Sequence, residues 1–250
     1  MKVKLGQNFE CKYGNIDWEC VTIGQSNAQV YQSKEFILKI QIKTEHQNLL
    51  NEKLKMEWLK EKVPVANVID YETDDLFEYL LMNRIIGTDA AQTKWKNNPE
   101  ILVTLLGNEL RKLHDKIDIN NCPFDMRLIH KFQEASYQLK TRKITEINSS
   151  DNDLLDQLIS IAPKEDLVFT HGDYCLPNII IDDQQCSVNA FVDLGRAGIA
   201  DRYYDLALGL RSIQFNLGQG YDQIFLNAYG LFSNIDENKI DFYQKLDNLL

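Results

Sequence analysis

Four short apolar runs in the first third of the chain have the character of β-strands. In residues 16–23 and 34–42 the apolar positions alternate with polar positions or are β-branched, which is typical of strands that are half-buried in a sheet. A short polar stretch from Gly24 to Asn27 predicts a turn between the first two strands. The predicted strands are residues 16–23, 34–42, 65–70 and 76–83.

One helix is predicted between the second and third of these strands. Leu50, Leu54 and Trp58 recur every four residues. Thr44 begins a run with capping-box spacing ahead of them, so the helix is expected over about 45–61. The first part of the chain is therefore predicted to be a small sheet that carries one helix.

Helical spacing dominates the rest of the chain. Asn98 in a capping position and Pro99 precede four leucines at steps of four, four and three residues, which predicts a strong helix. Short apolar runs with polar breaks return only at 166–193. We therefore predict an α+β protein with a small, mainly β lobe (1–83) and a larger, mainly α lobe (84–250). The other predicted helices are 125–143, 151–161, 201–215, 220–231 and 236–250.

Composition and charge exclude several classes of protein. The 250 residues are 44% hydrophobic and 26% charged, as in an ordinary globular protein with its own core. A formal net charge of −10 argues against nucleic acid or an anionic membrane as a partner. Five cysteines without a CxxC pair predict neither a disulfide framework nor a zinc site, and no run of 18 apolar residues occurs. We expect a cytoplasmic protein that is a monomer or a weak homodimer.

The run HGDYCLPN at 171–178 carries the strongest chemical signal. Asp173 and Asn178 have the Asp-x4-Asn spacing of a kinase catalytic loop, and Asp193 follows at the end of a short strand. Phosphoryl transfer from ATP needs an aspartate beside the attacking hydroxyl and further oxygen ligands for magnesium. A single aspartate in a polar loop is more often a turn former, so the prediction rests on the three positions together. His171 is interpreted as a structural hydrogen-bonding residue.

A kinase also needs a lysine on a strand and a glutamate on the next helix. Lys39, within FILKI, and Glu52, on the predicted helix, have these positions. Ile37 shares the strand face of Lys39 and is a candidate to cover the adenine ring. Alone, each charged residue would be interpreted as a surface side chain. The kinase interpretation of Lys39 and Glu52 rests on the order of all the parts along the chain.

The loop before this strand is the candidate phosphate loop. It has one glycine and matches neither a Walker A loop nor GxGxxG. Ser26, Asn27 and nearby backbone N–H groups are candidates to bind phosphate oxygens. A plain hairpin turn stays an alternative.

Segments spread along nearly the whole chain resemble the aminoglycoside 3′-phosphotransferase family. HGDxxxxN alone is shared with choline, fructosamine and other small-molecule kinases, whereas FVDLGRAGIADRYYDLA and LDNLL are more particular. The resemblance implies a two-lobed, protein-kinase-like fold. It also implies transfer of the ATP γ-phosphate to the 3′-hydroxyl of kanamycin-type or neomycin-type antibiotics, which confers resistance. The matching segments are GQSNAQVY, LKI, NEKLKMEWLKEKVPVANVI, LHDKIDINNCPFD, VFTHGDYCLPNIII, FVDLGRAGIADRYYDLALGLRSI and KIDFYQKLDNLL.

The resemblance assigns roles to individual residues. Asp173 becomes the catalytic aspartate, and Asn178 and Asp193 become ligands of Mg²⁺. Lys39 contacts the ATP phosphates and Glu52 positions it. GTP stays open as an alternative to ATP. Met82 is placed at the back of the adenine pocket, with the backbone of Asn83 and Ile85 along its edge. The implied substrate surface is Asp173, Arg196, Asn216, Asp247, Asn248 and the terminal Leu250.

The acidic surplus of the chain suits a polycationic substrate. Residues 166–250 carry 5 basic and 12 acidic side chains. Asn216 and Asn248 stand where relatives carry acidic groups, so we expect weaker substrate binding or an altered antibiotic spectrum. A kinase for another small cation or sugar alcohol, and a non-catalytic nucleotide-binding homologue, stay as alternatives. Weaker substrate candidates are Glu146, Asp151 and Asp153.

Overall fold

The chain folds into two compact units in the computed structural model. The N-unit comprises residues 1–87 and 189–195, and the C-unit comprises residues 88–188 and 196–250. The segment 189–195 thus belongs to the N-unit, although the chain reaches it only a hundred residues later. The predicted lobes, 1–83 and 84–250, placed the segment 189–195 in the second lobe. The structure describes residues 5–21, 28–44, 48–141, 149–232 and 235–250.

A five-stranded antiparallel sheet forms the centre of the N-unit. Its strands are β1 Glu19–Val21, β2 Gln29–Gln32, β3 Phe36–Ile42, β4 Val68–Thr73 and β5 Phe77–Asn83. They lie in the order β1-β2-β3-β5-β4, so β3 is the central strand. Leu38 of β3 and Leu81 of β5 are fully buried, in one cluster with Phe9 and Trp18. The sequence did not predict β2 as a separate strand.

Two helices complete the described part of the N-unit: α1 Gln7–Tyr13 and α2 Leu49–Leu59. Helix α1 was not predicted, because seven residues with Phe9 as the one buried side chain give no helical period to detect. The predicted start of α2 was too early. Asn48 is extended, and its side chain accepts the N–H of Asn51 at 2.8 Å, so Asn48 is the cap. Residues 45–47 lie outside the described residues.

Six helices form most of the described C-unit. Helix α3 buries Leu102, Leu106, Leu110 and Leu113, as its period predicted. Pro99 is its first residue, but the Asn98 side chain makes no capping hydrogen bond. The helices are α3 Pro99–Lys116, α4 Leu128–Thr141, α5 Ser149–Ser160, α6 Arg202–Leu217, α7 Asp222–Tyr229 and α8 Glu237–Asp247.

Short strands position the loops of the C-unit. They are β6 Thr88–Asp89, β7 Leu167–Thr170, β8 Ile179–Asp182 and β10 Gly198–Asp201, while β9 Ser187–Phe191 begins here and ends in the N-unit. In the antiparallel pair of β7 and β10, Thr170 lies opposite Gly198. The residues after β7 and those before β10 therefore emerge at the same end. No helix in the described ranges combines the length and apolarity that a membrane crossing needs.

Candidate active site

A buried lysine lies between two carboxylates in the N-unit. The Nζ atom of Lys39 is 2.6 Å from Oε1 of Glu52 and 3.0 Å from Oδ1 of Asp193. Burial opposes the charge on Lys39, but the carboxylates of Asp193 and Glu52 raise its pKa above the ordinary value. The ammonium group therefore stays charged at neutral pH, as a phosphate-binding lysine must.

Asp193 has an unusual backbone conformation. Its φ is +60°, in the left-handed region, where a residue other than glycine costs about 1–3 kcal/mol unless its surroundings hold it. The side chain is 41% exposed, so its carboxylate is accessible to an ion in solution. A strained and accessible carboxylate at the end of a strand is typical of a functional position.

The predicted adenine-pocket residues come together on β3 and β5. Ile37 lies directly opposite Met82, which is 4% exposed. The N–H of Asn83 donates to the carbonyl of Asn67 at 3.1 Å. Ile85, two residues further on, is half-buried. The phosphate-loop candidates Ser26 and Asn27 lie outside the described residues.

The predicted catalytic loop lies in the C-unit, directly after β7. The Nδ2 atom of Asn178 donates to Oδ2 of Asp173 at 2.8 Å and to the backbone carbonyl of Asp173 at 3.1 Å. Because Nδ2 makes both hydrogen bonds, the amide oxygen is the atom of the Asn178 side chain that could bind a metal ion. The N–H of Asp173 donates to Nδ1 of His171 at 3.2 Å, consistent with the structural role predicted for that histidine.

The predicted catalytic loop is anchored by a buried carboxylate that the sequence analysis missed. Asp205 of α6 accepts the N–H groups of His171 at 2.6 Å and Gly172 at 2.8 Å. Burial alone would raise the pKa of Asp205, but the hydrogen bond and charge of His114 keep it below the ordinary value. The available signal was the position of Asp205 in the conspicuous block ADRYYDLA.

Gly172 is required by the fold of this loop. Its φ is +81°, and a Cβ atom at this position would overlap the carbonyl of Arg196. The backbone of Gly172, directly before Asp173, therefore packs against the backbone of Arg196. Arg196 and the catalytic loop are therefore neighbours within the C-unit.

Arg196 links the loop region to the end of the chain. Its guanidinium lies 3.6 Å from Oδ1 of Asp247 and 3.8 Å from Oε1 of Glu134, and it donates to the carbonyl of Leu250 at 3.3 Å. Asp247 also accepts the hydroxyl of Tyr204 at 2.9 Å. The predicted substrate residues Arg196, Asp247 and Leu250 thus form one network.

The remaining predicted substrate residues are close to this network or on the same helix. Asn248 is exposed, and its Oδ1 accepts a hydrogen bond from Nη1 of Arg211 at 3.2 Å. Nη2 of Arg211 binds Asp247. Asn216, later on α6, donates to the carbonyl of Ser212 at 2.8 Å. Glu146 lies outside the described residues.

Lys131 of α4 is buried under the same network. Its Nζ atom lies 3.4 Å from the centre of the Tyr204 ring. Burial and the charge of Arg196 lower the pKa of Lys131 to about 8, against nearby carboxylates that raise it. These carboxylates are Glu134, Asp205 and Asp247.

Lys131 predicts a pH-dependent stability. Its pKa is lower in the folded chain than in the unfolded chain, so between about pH 8 and 10.5 the unfolded chain binds more protons and the free energy of unfolding rises with pH. Relative to Lys131→Met, the unchanged protein should gain about 2 kcal/mol between pH 7 and 9.5. Urea unfolding at both pH values measures this. Lys140→Met, at an exposed position of α4, is the control, and parallel pH profiles for Lys131→Met and the unchanged protein would refute the expectation.

These parts define a class of protein. A charged lysine held by a glutamate and an aspartate, together with a separate Asp-x4-Asn loop, are the working parts of kinase-type phosphotransferases. The sequence model of the phosphotransferase enzyme family matches residues 17–243. An aminoglycoside 3′-phosphotransferase of Niallia circulans is 35% identical over 238 residues, covering 90% of this chain and 89% of the relative. The chain therefore belongs to the phosphotransferase enzyme family, in its aminoglycoside 3′-phosphotransferase branch.

Solved structures agree with this assignment. An aminoglycoside-3′-phosphotransferase of type VIII matches with a TM-score of 0.81 and 26% identity, over 97% of both chains. The phosphotransferase APH(3″)-Id of Streptomyces rimosus, in complex with ADP and streptomycin, matches with a TM-score of 0.79 and 25% identity, over 96% of this chain and 95% of the other. The predicted protein-kinase-like fold class, mainly β in its N-terminal part and mainly α in its C-terminal part, is confirmed.

Proposed function

We propose that this protein transfers the γ-phosphoryl group of ATP to the 3′-hydroxyl of kanamycin-type or neomycin-type aminoglycosides, and so confers resistance to them. The observation that carries the proposal is the Lys39 ammonium held by Glu52 and Asp193, which is an arrangement for binding nucleotide phosphates. The choice of acceptor is supported by the 3′-phosphotransferase of Niallia circulans. The site of action would be the cytoplasm, where ATP is available.

The proposed reaction assigns Asp173 to the acceptor. Its carboxylate orients the 3′-hydroxyl and accepts its proton as the oxygen attacks the γ-phosphorus. The new O–P bond forms while the bond from the γ-phosphorus to the β,γ-bridging oxygen breaks, and ADP leaves. Asn178 holds the Asp173 carboxylate in one orientation through its 2.8 Å hydrogen bond.

The nucleotide is assigned to the N-unit. Lys39 binds phosphate oxygens, and Glu52 positions Lys39. Ile37 and Met82 contact the adenine ring, with the backbone of Asn83 and Ile85 along its edge. Ser26 and Asn27 are proposed to bind phosphate, and GTP stays an alternative nucleotide.

Asn178 of the C-unit and Asp193 of the N-unit are each proposed as a ligand of Mg²⁺. Each supplies an amide or carboxylate oxygen, the donor type that Mg²⁺ takes when substrate phosphates and water complete its coordination. The accessible carboxylate of Asp193 fits this role. When bound, the ion neutralises charge on the phosphate oxygens that would otherwise repel the attacking oxygen.

The aminoglycoside is assigned to the acidic C-unit. Asp247 is engaged by Tyr204, Arg196 and Arg211, so we propose that it organises the substrate surface more than it binds an ammonium group directly. Asn248 is exposed beside it and can bind the substrate through neutral hydrogen bonds. The other proposed substrate contacts are Arg196, Asn216 and Leu250.

A coupled ATP-turnover assay with Mg²⁺ tests the proposal on a panel of acceptors. We expect turnover with kanamycin and neomycin and none with lividomycin, which lacks the 3′-hydroxyl. Turnover with lividomycin would mean that another hydroxyl is phosphorylated. Choline and streptomycin complete the panel, because a kinase for another small cation, or for the acceptor found in the Streptomyces rimosus complex, would respond to these. Turnover with either of them alone would contradict the proposal.

A further inference from the structure

A second lysine of helix α2 is buried in the N-unit. Lys55 is 5% exposed, although lysine is among the residues least often buried. Its Nζ atom donates to the backbone carbonyl of Gly195 at 2.6 Å. Removing an ammonium group from water is unfavourable, so a specific contact of this kind indicates a role for the charge.

Lys55 and Glu52 share one face of α2, because they are three residues apart. Both contact the turn that follows β9. Glu52 accepts the N–H of Leu194, and Lys55 binds the carbonyl of the next residue, Gly195. Helix α2 therefore holds two successive residues of this turn, one by a carboxylate and one by an ammonium group.

The residue that these contacts fix is Asp193, directly before Leu194. Its left-handed backbone, with φ of +60°, persists only if the surrounding structure holds it. Lys39 binds the Asp193 side chain at 3.0 Å but does not bind the backbone that follows. The contact of Lys55 with Gly195 restrains the backbone two residues after Asp193.

We propose that Lys55 is a positioning residue for Asp193: by binding the Gly195 carbonyl, it holds the short 3₁₀ helix Leu194–Arg196, and so keeps the preceding Asp193 in the left-handed conformation that presents its carboxylate. This inference rests on the proposed function, in which Asp193 is a ligand of Mg²⁺. Lys55 acts through the turn and touches no reacting atom. Removing a residue that orients a metal ligand commonly lowers metal affinity or activity about 10–100-fold.

The test compares Lys55→Met, Lys55→Arg and the control Lys53→Met. Methionine keeps the length and apolar stem but cannot donate, whereas arginine can donate to the carbonyl again. Lys53 is on the same helix and pairs with Glu57 at 2.8 Å, so its replacement removes a charge from α2 without touching the turn. Lys55→Gln provides a second removal of the charge if Lys55→Met does not fold.

The first two measurements need no turnover. Hydrogen–deuterium exchange of the segment 191–197, without nucleotide or metal, should be at least tenfold faster in Lys55→Met and restored in Lys55→Arg. Binding of Mn²⁺ in the presence of ADP, followed by electron paramagnetic resonance, should weaken about 10-fold or more in Lys55→Met. Lys53→Met should match the unchanged protein in both.

Kinetics then separate a positioning role from general destabilisation. In Lys55→Met, kcat should fall and the Mg²⁺ concentration for half-maximal turnover should rise about tenfold, with KM for the aminoglycoside unchanged. A Lys55→Met protein with a lower melting temperature but unchanged exchange, Mn²⁺ binding and Mg²⁺ dependence would overturn the inference. If the unchanged protein turns over no acceptor, the proposed function fails, and exchange and Mn²⁺ binding still decide the role of Lys55.

Discussion

Replacing Asp173 by alanine is expected to lower kcat by about 10²–10⁴-fold, the usual contribution of a general base or proton acceptor. Nucleotide affinity should stay nearly unchanged, because Asp173 is proposed to act on the acceptor hydroxyl. The loop should keep its fold, since Asn178 retains its hydrogen bond to the backbone carbonyl of residue 173. Steady-state turnover and titration with a fluorescent ADP analogue measure the two effects.

Asp156→Ala is a suitable control for Asp173→Ala, because Asp156 is an exposed aspartate of α5 in the same unit. It should keep full turnover. A variant at Asp173 that loses nucleotide binding would contradict the assignment of this residue to the acceptor. Retention of more than a tenth of the kcat would contradict a role in proton transfer.

Replacing Lys39 by methionine is expected to affect both catalysis and stability. Loss of a preorganised charge at the phosphates should lower kcat/KM for ATP by about 10²–10³-fold. Glu52, at 3% exposure, would lose its closest cation, and breaking a buried ion pair by removing one partner costs about 3–5 kcal/mol. Initial rates at varied ATP and urea unfolding measure the two losses.

The double variant Lys39→Met with Glu52→Gln separates these two effects. The Glu52→Gln substitution removes the unpaired buried charge, and the amide oxygen of the new side chain can still accept the Leu194 N–H. Most of the lost stability should therefore return. Turnover should not return. Recovery of turnover together with stability would mean that Lys39 is only structural. Lys34→Met, at an exposed position just before β3, should behave as the unchanged protein in both measurements.

The sequence predicts elements whose apolar residues form a simple pattern. Helix α3 buries four leucines on one stripe, and Pro99 was predicted as its first residue. Strand β5 is an almost continuously buried run, predicted at 76–83 and observed at Phe77–Asn83. Helix α1 and strand β2 are too short to show a period. Their places are set by tertiary packing, as in the stacking of Phe9 on Tyr79 at 5.3 Å between ring centres.

The candidate site was predictable where its residues have fixed spacing along the chain. Asp173 and Asn178 lie five residues apart in one loop, and their side chains are in direct contact. Lys39 and Asp193 are 154 residues apart; the order of the kinase parts predicted a role for each of them, but their direct contact was not predicted. Asp205 lies in the conspicuous block ADRYYDLA, but the block does not show which backbone groups it binds, because His171 and Gly172 are more than 30 residues away. Lys55 carries no local pattern, because the Gly195 carbonyl that it binds is 140 residues away.

The most direct test of the proposed function is the identity of the product. Incubation with ATP, Mg²⁺ and kanamycin should give a mono-phosphorylated antibiotic and an equal amount of ADP. Two-dimensional ³¹P–¹H NMR should place the phosphorus on the 3′-oxygen. A phosphate on any other oxygen, or ADP formation without a phosphorylated antibiotic, would contradict the account.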